Sequence, residues 1–185
     1  TGDYSVAIGR NALAANTTND TNVAVGYGAL QALHTNGYNT TVGYAAGLAV
    51  TTSAANTLIG YRTGYQLTTG DGGNTSIGSH SGEALTTGVY NTMVGYGTGV
   101  TDQNTSTGEY NVLIGANCHT SAHNSALQVV MGSRVVGNGN SSFTVGSGGT
   151  DSAIAFGATS ISAPSDVRLK ENITNATAGL SFIND

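Results

Sequence analysis

Hydrophobic and polar positions along this chain recur in a five-residue phrase that ends in glycine. It reads SVAIG at 5–9, NVAVG at 22–26, NTTVG at 39–43, NTLIG at 56–60, NTSIG at 74–78, NTMVG at 91–95 and NVLIG at 111–115, with weaker copies QVVMG at 128–132 and SFTVG at 142–146. The glycines are Gly9, Gly26, Gly43, Gly60, Gly78, Gly95, Gly115, Gly132 and Gly146, at intervals of 17, 17, 17, 18, 17, 20, 17 and 14 residues. Nine copies at a nearly constant interval mark a repeat architecture. The residue before each glycine is apolar: Ile8, Val25, Val42, Ile59, Ile77, Val94, Ile114, Met131 and Val145. Two positions earlier stands Val or Thr, with Phe143 in the last copy. β-Branched residues at period two predict a short strand with one buried face. These two columns, Thr40, Thr57, Thr75 and Thr92 included, are therefore expected to point inward.

Other columns carry their own chemistry. Asn22, Asn39, Asn56, Asn74, Asn91 and Asn111 lie four residues before a glycine, where stacked copies would let side-chain amides bond up and down a ladder. The glycine supplies a backbone bend that a Cβ would forbid. A second apolar point follows seven residues after it, at Leu33, Val50, Leu67 and Leu85, each trailed by His-Thr or Thr-Thr. Each unit thus reads as two short strand-like stretches, with Asn36-Gly37, Asp71-Gly72 and Gly73-Asn74 as turns. One unit cannot bury its own face, whereas stacked units form a continuous core. The expected fold is an all-β parallel β-roll or β-helix solenoid with coils of about 17 residues, a rod roughly 40 Å long at ~4.8 Å per coil. The units are poor in large apolar residues. Parallel association of three chains, burying the variable column Ala7, Ala24, Thr41, Leu58, Ser76, Met93, Leu113 and Val130, is therefore expected.

Composition narrows the class further. Of 185 residues, 28 Gly, 27 Thr, 18 Asn and 17 Ser make about half, and 8% are charged, against about a quarter in average domains. Five Lys and Arg at net charge −5 exclude a basic nucleic-acid binder, since neutralising phosphates takes clustered cations. No run approaches the ~20 apolar residues of a membrane helix, and no signal peptide opens the chain. No nucleic acid and no membrane insertion are expected. The single Cys118 forms no internal disulfide. Beginning at Thr1 and ending at Asp185, the chain is expected to be a fragment of something longer.

Two stretches resemble known families. The SVAIG, NVAVG and NVLIG copies, within residues 3 to 147, look like the head repeats of trimeric autotransporter adhesins, in which each chain winds a β-roll and three rolls pack together. Past the chain's one proline, Pro164, comes Ser165-Asp166-Val167-Arg168-Leu169-Lys170-Glu171-Asn172-Ile173. This string is similar to the opening of the C-terminal intramolecular chaperone domain of phage tail spikes and fibres of the endosialidase type. The resemblance implies a domain that trimerises the chains, drives folding of the fibre and cuts itself off before the motif's Ser. Carried over, Ser165 is the nucleophile and Lys170, the chain's one Lys, its base, attacking the Pro164 carbonyl. A Ser hydroxyl needs a neighbour to take its proton. A Lys serves once burial or a cation such as Arg168 lowers its pKa. The same segment also reads as a helix, with Leu169, Ile173, Ala176, Leu180 and Ile183 in a heptad-like stripe and Asp166 as cap.

Remaining candidates carry weaker signals. Cys118, His119 and His123 have metal-like spacing, but a loop with exposed histidines is the preferred reading; no metal and no cofactor is expected. His34 and His80 are scattered. Tyr27, Tyr44, Tyr61 and Tyr96 recur just after the glycine, offering a sugar-binding stripe or, preferably, a structural column. The Thr40 column, if exposed and flat, would resemble an ice-binding ladder; the inward reading is preferred. Asp3, Asp20, Asp71, Glu83, Asp102, Glu109 and Asp151 form no repeated pair, which argues against glycosidase chemistry. Sequons at Asn39 and Asn74 follow from composition.

The reading is a shaft at 1–147, a linker at 148–164 and the truncated start of a chaperone domain at 165–185. The expected role is structural, with no enzymatic activity beyond one self-cleavage before Ser165. It is a homotrimeric segment of a phage tail fibre or spike, located in the virion tail. Its expected partners are other tail proteins and a host receptor or glycan touched by loops such as 100–109. The alternatives are a bacterial trimeric surface adhesin head and the shaft of a polysaccharide-degrading tail spike.

Overall fold

In the computed structural model, residues 4–17, 21–100 and 106–158 are described. Ten strands follow in chain order: β1 (Val6–Ile8), β2 (Val23–Val25), β3 (Thr40–Val42), β4 (Thr57–Ile59), β5 (Thr75–Ile77), β6 (Thr92–Val94), β7 (Val112–Ala116), β8 (Gln128–Ser133), β9 (Ser142–Ser147) and β10 (Ser152–Ala155). They form one sheet in the order of the sequence, parallel from β1 to β9. The molecule is a β-solenoid, and no helix occurs among the described residues.

Register follows the repeat. Val6 pairs with Val23, Thr40 with Thr57, and Gly115 with Gly132 and then Gly146. The longer coils of 18 and 20 residues keep the same register, so their extra residues fall outside the strands. β10 reverses direction and pairs antiparallel with β9, ending the parallel stack. The stretch 148–164, read as linker, therefore includes a sheet strand.

The burial of the strands is the reverse of the sequence expectation. From β2 to β6 the middle strand residue points into the coil, as do Leu113 of β7 and Val130 of β8: Ala24, Thr41, Leu58, Ser76, Met93, Leu113 and Val130 are all at 0% exposure, whereas Ala7 of the end strand β1 is exposed. The two β-branched columns point outward, with Ile59, Ile77 and Ile114 at 36%, 38% and 37% exposure and the four Thr of the neighbouring column half-buried. A strand of three residues alternates faces, and a coil this narrow admits one strand side chain. The variable column is thus the chain's own core, not a seam between chains.

Its variability has a partner across the coil. Four residues after the glycine stand Leu13, Leu30, Gly47, Gly64, Gly82 and Gly99. Ala7 and Ala24 share coils with Leu13 and Leu30, whereas Leu58 and Met93 share theirs with Gly64 and Gly99. A Cβ on Gly64 would meet Leu58 Cδ1 at 3.0 Å. At these levels large faces small, and where both are small, as with Ser76 and Gly82, the Met93 side chain of the next coil reaches in, 2.9 Å from where a Gly82 Cβ would stand, which keeps the interior filled. Leu33, Val50, Leu67 and Leu85 are fully buried beside this core. Their stretches are not strands, contrary to the expected second strand; they are turns whose backbone bonds join coil to coil, such as Thr51 N–H to Thr68 O (2.9 Å) and Thr68 N–H to Thr86 O (2.8 Å).

The repeat glycine closes the strand. Gly9 has φ 124°, and a Cβ there would stand 2.5 Å from the Gly26 carbonyl oxygen of the next coil. Backbone conformation and coil spacing both demand glycine. Corners elsewhere hold side-chain-bearing residues at left-handed φ, including Ala45, Arg62, His80 and Asn117 two residues after the glycine. This conformation is sparsely populated for such residues, and the coil-to-coil hydrogen bonds hold them there.

Candidate functional site

A continuous ladder of amides runs beside the strands inside the coil. Asn39 Oδ1 accepts from the Asn56 backbone N–H and side-chain Nδ2, both at 3.0 Å. Asn56 Oδ1 serves Asn74 in the same way at 3.1 Å, and Asn91 Oδ1 serves Asn111 at 3.0 Å. All six asparagines are buried. Ser5 Oγ starts the ladder by accepting from Asn22 N–H, and Gln128 N–H ends it on Asn111 Oδ1. The asparagines satisfy buried backbone donors, and none faces solvent.

Among the described residues the outward face of the sheet packs against no other element of the chain. Its two columns contain Val, Thr, Ile, Met and Phe alone, with no charged residue over nine strands. Apolar patches of this regularity mark contact surfaces. Desolvating the face carries no charge penalty, because no ionised group lies on it.

Tyrosines flank the face on both sides. After the strands, Tyr27 stacks on Tyr44 with centroids 5.2 Å apart and planes 11° from parallel, and Tyr44 on Tyr61 at 5.4 Å and 14°. Coil five has Ser79 in this column, and His80 fills the gap edge-on, 5.1 Å from Tyr61 and 6.1 Å from Tyr96. Each inner ring spends its flat faces on its neighbours, so the column does not offer the face-on platforms that sugar stacking needs. Before the strands lies a second column unnoticed in the sequence reading: Tyr38, Tyr90 and Tyr110, the last two stacked at 5.1 Å and 13°. Its signal was available, since each precedes a ladder Asn.

Charge gathers at one place. Arg62 pairs with Glu83 at 2.6 Å and lies over the Tyr65 ring at 4.2 Å, while His80 contacts the same carboxylate. The cluster ties coil four to coil five beside the gap in the tyrosine column.

Cys118 and His119 do not converge. Cys118 Sγ is fully buried and donates to Gly132 O at 3.1 Å, His119 Nδ1 lies 3.2 Å from Thr120 O, and His123 is exposed. Burial pushes the Cys118 thiol above its ordinary pKa of 9.0, and the Asp151 charge adds to the rise. Among the described residues no group of three His, Cys, Asp or Glu gathers into a metal site. Ser165, Lys170 and Pro164, with the rest of the chaperone-like segment, lie outside the described residues, as do Asp3, Asp20 and Asp102. No family model, curated protein or solved structure matches the chain.

Proposed function

We propose that this chain is the shaft of a phage tail fibre or spike, a parallel homotrimer that gives reach and rigidity to host attachment. One observation carries the reading: an uncharged face along every coil, apolar before each glycine and Val, Thr or Phe two residues earlier, left partly exposed by the chain's own core. Three copies packing these faces around a common axis would remove from water the columns Val25 to Val145. At ~25 cal/mol per Å² of apolar surface, that burial compensates for a thin interior in which Thr41, Ser76 and Thr144 hold core positions. The Ser165-Asp166-Val167-Arg168-Leu169-Lys170 string supports the phage assignment, with Ser165 and Lys170 as the self-cleavage pair.

Native mass spectrometry of the full-length expressed protein, wild type beside Ser165→Ala, tests both halves. The expected result is a trimeric product ending at Pro164 in the wild type and an uncut trimer in the variant. Identical intact masses would remove the processing half; a monomeric product would remove the fibre.

A further inference from the structure

We propose that neighbouring copies meet edge to edge along seams of tyrosine. The column trailing the strands of one copy packs against the column leading into the strands of the next. The proposal rests on the homotrimeric reading above and specifies the contact.

Area argues for it first. The two outward columns and the residue between them span three residues in each of nine strands, a face roughly 10 Å wide and roughly 40 Å long, or roughly 400 Å². A standard interface takes about 800 Å² from each partner, and in a ring of three this strip is divided between two neighbours. The aliphatic face alone falls short. Tyr27, Tyr44, Tyr61 and Tyr96 on one margin and Tyr38, Tyr90 and Tyr110 on the other are 41–73% exposed, so roughly half of the about 150–250 Å² that a fully buried aromatic side chain removes from water is still available on each. They stand where the shortfall lies.

Direction argues second. Strands run across the rod axis, all nine the same way. Copies arranged in a ring about an axis along the rod then bring the trailing margin of each to the leading margin of the next, a heterologous contact that closes by rotation. Copies with opposed rod directions would set trailing margin against trailing margin instead.

Size argues third. In-register packing brings margins of the same coil together. In coils two, four and seven a tyrosine on one margin meets a small residue on the other: Tyr27 with Thr21, Tyr61 with Ala55, Tyr110 with Ala116. In coils three and six both margins carry tyrosine, Tyr38 with Tyr44 and Tyr90 with Tyr96. The unbroken stack of Tyr27, Tyr44 and Tyr61 on the trailing margin thus meets recesses at Thr21 and Ala55 and a ring at Tyr38 on the leading margin, and coil five, with Gly73 and Ser79, is small on both sides.

Cysteine pairs test the arrangement. Within one chain β3 (Thr40–Val42) lies between positions 38 and 44, and an intrachain bridge would leave a monomer band, so covalent dimers and trimers from Tyr38→Cys with Tyr44→Cys report only bridges between copies. The 185-residue chain carrying this pair, the pair Tyr90→Cys with Tyr96→Cys, or each single substitution would be oxidised with copper phenanthroline and run on non-reducing gels, with sedimentation measured in parallel. Buried Cys118 is common to every variant. Covalent trimers from either pair, with uncrosslinked single variants, are the expected result. Disulfide dimers from a single variant, a ladder ending at dimer, or sedimenting trimers without crosslinks from either pair would overturn the seam. A sedimenting monomer would instead overturn the homotrimeric reading on which it rests.

Discussion

Asn56 Oδ1 holds two buried donors of the next coil, the Asn74 backbone N–H and side-chain amide. Asn56→Ala strands both, and a buried unsatisfied group costs about 1–3 kcal/mol. We expect a loss of about 2–5 kcal/mol in denaturant unfolding, whereas Thr57→Ala next to it, half-buried on the outward face, should cost under about 1 kcal/mol in the isolated chain. Equal effects would refute the ladder's role. Cys118 supplies a second residue-scale check. Its thiol is raised by burial first and by Asp151 second, and both oppose the thiolate that reacts. A maleimide reagent should therefore label it only after unfolding. Because its folded pKa is raised, the thiol's contribution is complete below the ordinary value of 9.0 and is lost as pH climbs through the higher folded value. Rapid labelling of the native protein at neutral pH would contradict that burial.

The coil as an element shows how far the sequence was legible. The nine phrases fixed strand position and register, because each glycine must sit over the next, as Gly9 over Gly26. Facing is the reverse of what the period suggests. Period two says that Ile59 and Thr57 share a face, but not which side of a closed coil that face lies on. A signal for facing lies in compensation across particular coils, Leu58 against Gly64 and Ala24 against Leu30, though Ser76 against Gly82 breaks it. Leu67 and its trailing threonines suggest a second strand but form a buried turn; their apolar spacing is the same in either case. Ser165 and Lys170 rest on sequence alone. Leu58→Ala should cost about 2–5 kcal/mol as a core truncation, measured by chemical denaturation, while Ile59→Ala should cost less than half of that in a monomeric background. The reverse order would mean that the aliphatic column lies inside.

At the scale of the molecule, a rod of nine parallel coils closed by antiparallel β10 carries its polar bonding inside and an aliphatic strip outside. That inversion of the usual surface is what points to association. A charge on the strip should oppose it without disturbing the coil interior, so Ile59→Asp with Ile77→Asp should keep the far-ultraviolet spectrum of the wild type while separating the copies. Sedimentation equilibrium of the wild-type chain is the most direct measurement. A mass of three times 18.5 kDa, falling to 18.5 kDa in the doubly charged variant, is the predicted result. A wild-type chain that sediments at 18.5 kDa across micromolar concentrations would contradict it.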